Sequence, residues 1–437
     1  MNLSAVEIEL TSYVEQHAHR LIEILQDIVR IPSENTPPTG REGECQKYIA
    51  RFLLDLDCDP VAYSFDEVPG LKQHPLFIAG RDYENRPNIA ARRKGTGSGR
   101  SLLLSGHIDT VPVGTLPWTK DPFGGTVEGN FLYGRGSNDM KGGAATNLFI
   151  MECLHKLNLP LAGDVLFETV IDEEFGGVNG TLAGRVKGFN ADAAIISEPS
   201  FLRICPAQRG GRIAHVTLRA SGGVLTQGAP IPGVVEQLTY LLTKIKDFAD
   251  RRRAHARPHP FYAETADPVP VIVTKIITAP WGMKEPITVP EECKLEIYWQ
   301  AMPGERQEDI DREFLAWINS LTVASSTPFA APPHVEFTAR WLPGSAISAN
   351  EALVTELSDC ATRVLGKAPV IAGIEGPCDM YVFHTVSHTP AVLWGARGGN
   401  THAADEYVEI DSLVEAAKVL LVFVHEWCSA RLGDVNK

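Results

Sequence analysis

The chain has 437 residues, 44% of them hydrophobic and 22% charged, and its 40 basic against 54 acidic side chains give a net charge of -14. That length gives room for about two or three domains with ample core. The negative balance argues against a nucleic-acid or anionic-membrane partner, and no apolar run approaches the roughly 20 residues needed to span a bilayer.

The chain opens Met1-Asn2-Leu3-Ser4, without the basic, apolar and small-residue pattern of a secretory signal. Its eight cysteines show no paired short spacing and fit reduced thiols in a cytoplasmic protein. Apolar positions at helical spacing predict a helix over 6–29, ended ahead of Ile31-Pro32 because proline disfavours helical geometry in the residue before it. A helix is expected over 48–56, strands over 88–93, 101–105, 165–171 and 193–196, and a helix over 140–157. This alternation predicts an α/β domain with a mostly parallel central sheet and helices on both faces.

Near residue 207 the pattern changes. Strand 213–219, helix 234–252, strands 269–277 and 293–300, helix 307–321 and strand 334–340 give the order βαββαβ, as in a ferredoxin-like sheet with both helices on one face. The basic cluster Arg251 to Arg257 reads as the solvated end of the first of those helices. A helix over 350–365, a buried strand over 391–394 and a closing helix over 410–428 resume the earlier pattern. The expected organisation is one catalytic α/β domain, 1–206 and 344–437, interrupted by an inserted domain, 207–343.

The chemistry-bearing segments sit at the ends of these strands. In Gly106-His107-Ile108-Asp109, period-two geometry puts His107 and Asp109 on one face, so the carboxylate can orient an imidazole that binds a metal. The run Gly134 to Gly143 lacks the Gly-Lys-Ser/Thr ending of a phosphate loop; its glycines instead allow a tight bend that sets Asp139 at the start of the next helix. The adjacent carboxylates of Asp172-Glu173-Glu174 repel one another unless something positive compensates. Ser197-Glu198-Pro199 and Asn400-Thr401-His402 follow predicted strands in the same manner. The carboxyl ends of parallel strands face one crevice, so these five segments together predict a dinuclear metal site. Carboxylates and imidazoles without thiolates suit zinc, manganese or cobalt.

Ser105 to Gly114, Pro117-Trp118, Asp121 to Gly124, Leu132 to Gly143, Asp172 to Gly177, Ser197 to Pro199 and His402 to Ile410 carry a resemblance that spans nearly the whole chain. They resemble the co-catalytic metallopeptidase and deacylase family of aminoacylase, acetylornithine deacetylase, succinyl-diaminopimelate desuccinylase and bacterial glutamate carboxypeptidase. The resemblance implies two divalent metal ions per subunit, zinc first with manganese or cobalt as alternatives. It implies that Asp139 bridges them, that His107 and Glu198 complete one site, and that Glu174 and His402 complete the other. It further implies that Asp109 orients His107 and that Glu173 is the general base toward a metal-bound water whose hydroxide attacks. The insert is implied to be a lid that makes a homodimer or higher homo-oligomer.

Two departures from the family bear on the substrate. Val224 or a neighbour stands where the family has a lid histidine, and Tyr298 stands near the place of an arginine that holds the substrate carboxylate. Arg209 or Arg397 is the expected replacement for that guanidinium, and Asp379 is expected in a pocket-lining loop. Tyr298, Trp299 and Trp281 are expected either beside a flatter, more aromatic substrate or in the core of the lid. The expected function is hydrolysis of a C-N bond in a small molecule carrying a carboxylate, as in an N-acyl amino acid-like amide. The alternatives are release of ammonia from an aromatic or amidine carbon and a non-catalytic metal-binding role; an intact Glu173 speaks against the last.

Overall fold

The computed structural model describes residues 3–220, 233–278, 290–323, 327–329 and 331–429. It divides into two compact units, one built from Met1–Pro206, Ala346–Ile374 and Cys378–Lys437, the other from Ala207–Ser345 and Glu375–Pro377.

The first unit is organised around a six-stranded sheet. Its strands run in the order Ala391–Leu393, Ala193–Ile196, Leu102–His107, Val165–Val170, Asn88–Arg93 and Val61–Tyr63. The first four pair in parallel and the last two join antiparallel. Leu102, Leu103 and Leu104 have no exposure, as expected of a strand covered on both faces, and each contributes about 1.5–3 kcal/mol. Side chains of that strand alternate between two helical layers. A Cβ at Gly106 would meet Met140 and Asn147, whereas the Ser105 hydroxyl donates to Glu168, which pairs with Arg185 at 2.6 Å. Met140 and Asn147 belong to the start and body of the Lys141–Lys156 helix, and Arg185 to the Asn179–Lys187 helix, so helices cover both faces.

A second, four-stranded antiparallel sheet joins Gly398–Gly399, Tyr407–Glu409, Phe131–Tyr133 and Thr126–Glu128. It brings the turn at 400–406 against the loop at 134–139. These short strands, and the helix Asn179–Lys187, have too few residues to show a period and went unpredicted.

The helix expected over 6–29 is two helices, Ala5–Gln16 and Ala18–Val29. His17 breaks it: its backbone leaves the helical region, while its N–H at 3.1 Å and its Nδ1 at 2.8 Å both bond the Tyr13 carbonyl and so close the first helix. The second helix ends before Ile31-Pro32 as expected, and the buried Lys141 ammonium donates to the carbonyls of Ile28 and Ile31 at its end.

The other unit has the βαββαβ order, with Gly210–Arg219, Val271–Ile277, Glu292–Ala301 and His334–Glu336 as its strands. Every pairing in its sheet is antiparallel. Leu295, Ile297 and Trp299 point to one face, where they meet Phe248 of the Val234–His255 helix and Phe314 of the Gln307–Ser320 helix. Trp299 stacks on Phe314 at 4.6 Å, so of the two places expected for this tryptophan it occupies the core. The basic cluster is mostly solvated as expected, with Arg251, Arg253, His255 and Arg257 exposed. Arg252 alone differs: it is buried on the helix face that meets the sheet, where it pairs with Glu305 and Glu313 and donates to the Gln300 carbonyl.

Candidate metal centre

Three of the five chemistry-bearing segments leave adjacent parallel strands at their carboxyl ends: His107 ends Leu102–His107, Asp172 to Glu174 follow Val165–Val170, and Glu198 follows Ala193–Ile196. The other two, with Asp139 and His402, come from the loops joined by the small sheet. All lie in the first unit.

The geometry centres on Asp139. Its Oδ1 lies 3.1 Å from His107 Nε2, and its Oδ2 lies 3.3 Å from His402 Nε2. His107 Nε2 is also 3.5 Å from Glu198 Oε1, and His402 Nε2 is 2.8 Å from Glu174 Oε2. Single ligand atoms of His107, Asp139 and Glu174 fall within 4.8 Å of one another. The sequence therefore brings together His107, Asp139, Glu174, Glu198 and His402.

His107 Nδ1 bonds the Asp109 backbone carbonyl at 2.9 Å. A carbonyl only accepts, so Nδ1 carries a hydrogen, and Nε2 is the nitrogen whose lone pair would be available to a cation that displaced its proton. The Asp109 carboxylate is farther from that nitrogen, at 3.6 Å. It accepts from the backbone N–H of Glu173 and of Glu174, at 3.0 and 3.1 Å, and so shapes the turn that carries them.

Glu173, Glu198, Asp379, Thr181 and His107 line a small cavity with room for about one water. Thr181 donates to Asp379, which places Asp379 beside the centre. The other three expected substrate residues have different surroundings. Arg397 pairs with Glu409, Asp411 and Glu415. Arg209 and Tyr298 belong to the second unit, where Arg209 donates to the carbonyls of Asp267 and Pro268 and Tyr298 accepts from Gln300. Val224 and Trp281 lie outside the described residues.

Sequence reasoning missed Glu406. One of its oxygens accepts from the N–H of Asn138 and Asp139, both at 3.0 Å, and the other from Gly136 N–H and Arg135. This buried carboxylate thus ties the His402 turn to the Asp139 loop. Close approach explains Gly143, whose Cβ would lie 1.9 Å from the Ser197 carbonyl and push Glu198 away.

The charges do not balance without a cation. Burial, then the charge of Asp379, raises Glu173 well above the usual carboxylate range. Burial, then Asp139, does the same for Glu198 and raises Glu174 to about 7. Hydrogen bonds to Asp139 and Glu174 raise His402 to about 10. Burial opposes charge on His107, but the Glu198 charge and hydrogen bonds to Asp109 and Asp139 raise it well above its ordinary value. Carboxyl groups that hold protons beside charged imidazoles are what remains when protons stand in for divalent cations, so this donor set fits metal.

Over most of its length the chain is similar to known proteins. The profile described as Peptidase family M20/M25/M40 matches residues 103–426. N-formyl-4-amino-5-aminomethyl-2-methylpyrimidine deformylase of Halalkalibacterium halodurans is 29% identical over 461 residues, spanning 98% of this chain and 99% of that protein. Succinyl-diaminopimelate desuccinylase 2 of Ruegeria sp. is 25% identical over 411 residues, 90% of this chain and 92% of that one. Among solved structures, the di-peptidase Dug1p of Saccharomyces cerevisiae covers 98% of this chain and 100% of its own, with a TM-score of 0.76 at 14% identity, a likeness of fold.

Proposed function

The chain belongs to peptidase family M20/M25/M40, and from that premise we propose that it is a two-metal hydrolase that removes a small acyl group from a flat, aromatic amine. The observation that carries the two-metal part is Asp139, whose oxygens face different imidazoles, His107 and His402. His107, Asp139 and Glu198 would hold one cation and Asp139, Glu174 and His402 the other, with zinc the best match to imidazole and carboxylate donors. When bound, such ions supply Lewis acidity toward a carbonyl oxygen and toward water.

The chain's own groups do the rest. Glu173, held at its backbone by Asp109 and lifted in pKa by burial, accepts a proton from the attacking water and returns it to the departing nitrogen. Asp379 lines the same cavity and keeps Glu173 proton-hungry by its charge. Arg397 is committed to three carboxylates, which supports a substrate whose recognition does not rest on that guanidinium. The deformylase relative, named for an aminomethylpyrimidine, supports the flat amine.

The test is to incubate zinc-loaded protein with the N-formyl aminomethylpyrimidine, an N-succinyl amino acid and an aromatic amine. Release of formate and free amine from the first is expected. Ammonia from the aromatic amine, without acyl cleavage, would replace this reading by direct deamination.

Two further parts of the proposal concern assembly and setting. In the second unit the edge strand Val271–Ile277 exposes Ile272, Ile276 and Ile277, which supports a homodimer through that edge; sedimentation that finds only monomer would refute it. All eight cysteines are free thiols, which supports a reducing, cytoplasmic setting. No helix among the described residues is long and apolar enough to cross a membrane.

A further inference from the structure

Behind the centre, a fully buried asparagine touches two carboxylates at once. Asn35 Nδ2 lies 2.9 Å from Asp109 Oδ2 and 3.3 Å from Asp172 Oδ1, so one NH2 group directs a hydrogen to each. Its Oδ1 accepts from Arg86 at 3.5 Å, which fixes the amide's orientation. The segment carrying it is laid alongside the His107-x-Asp109 stretch: Asn35 N–H donates to the Thr110 carbonyl at 2.9 Å and Ser33 Oγ to the Ile108 carbonyl at 2.6 Å.

Each bridged carboxylate shapes one part of the centre. Asp109 sets His107 through its carbonyl, and the Glu173 and Glu174 turn through its carboxylate. Asp172 opens that turn in the left-handed region, at φ 68°, which a non-glycine residue adopts only when its surroundings hold it there. The hold is visible: Tyr83 donates to Asp172 Oδ2 at 2.6 Å, and Arg81 lies 3.0 Å from Oδ1.

We infer that Asn35 is a positioning residue, a strut whose amide hydrogens keep Asp109 and Asp172 together and thereby aim His107, Glu173 and Glu174, with Tyr83 bracing the far side of Asp172. The inference rests on the two-metal hydrolase reading. Chemistry dictates asparagine at this position: two like charges meet there, and a donor pair on one nitrogen offsets their repulsion.

The experiment compares wild type with Asn35→Ala, Asn35→Asp and Tyr83→Phe by cobalt(II) titration with visible absorption, by thermal melting, and by kcat and KM on the acyl amine that wild type hydrolyses. Cobalt stoichiometry should persist in Asn35→Ala and Tyr83→Phe, with an altered band shape and with kcat lowered about 10- to 100-fold at unchanged KM. Asn35→Asp has the shape of asparagine but sets a third carboxylate between two others, so it should be worse than Asn35→Ala. A residue that only filled space would give the reverse order. If Asn35→Asp does not fold, Tyr83→Phe carries the test, because it removes a single hydroxyl. Variants with the wild-type cobalt spectrum and kcat, whatever their melting temperature, would overturn the inference alone. A wild type that takes up no cobalt would overturn the hydrolase reading and this one with it.

Discussion

Glu173→Gln should lower kcat by about a hundredfold to ten-thousandfold, the usual contribution of a positioned acid-base group, while zinc content stays at the wild-type level. Glutamine keeps the shape of the side chain, and the backbone bonds from Glu173 and Glu174 to Asp109 do not involve the carboxyl that is lost. The proposed metal ligands remain, because Glu174 and Glu198, which face the imidazoles, are untouched. KM should move little, since Glu173 acts on the proton and not on the bound amine. Steady-state kinetics beside metal analysis checks the prediction. Unchanged turnover would remove Glu173 from the mechanism, and parallel loss of zinc and activity would make it a ligand.

The second large effect concerns the metal-free protein, which should lose stability as pH rises from about 5 to 9, while the zinc-loaded protein does not. Glu174 holds its proton up to about 7, against a usual value of 4.5, so between those values the folded chain binds more protons than the unfolded one and stability falls with pH. That shift corresponds to roughly 3 kcal/mol. His402, raised to about 10 by Asp139 and Glu174, stabilises the fold fully below its ordinary value of 6.5, and that contribution is lost as pH climbs through about 10. Its half-exposed ring is screened by solvent, so its share is smaller than the shift suggests. The signs agree, and zinc held by these two side chains would displace both protons. The readout is the difference in urea midpoint between chelated and zinc-loaded protein across pH, which cancels groups outside the centre. A gap that stays constant, or that widens toward acid pH, would contradict the assignment of these groups as metal ligands.

The residues that were legible in the sequence share one property. His107, Glu174 and Glu198 sit two or three residues beyond short apolar runs, so strand ends mark them without any tertiary contact. Asp139 is marked by its glycine-rich bend and His402 by the strand expected over 391–394, although what holds them together is a small sheet whose strands are too short to read. Asn35 and Glu406 gave no local signal. Asn35 meets Asp109 from 74 positions away and Glu406 meets Gly136 from 270, so only the folded chain shows what either one does. The same limit accounts for Arg252, a cation in a basic run that the fold buries against Glu305 and Glu313, and for His17, whose backbone leaves the helical region and divides a predicted helix. Arg397 shows the converse: its residue type suggested a substrate anchor, and three neighbouring carboxylates occupy it instead.

The most direct test is a zinc titration of chelator-stripped protein, followed by metal analysis after gel filtration, for wild type and Asp139→Ala. The shared carboxylate between His107 and His402 predicts two zinc ions per chain in wild type and loss of tight binding at both positions in the variant. A wild type that retains one ion or none, or an Asp139→Ala protein that still retains two, would contradict it.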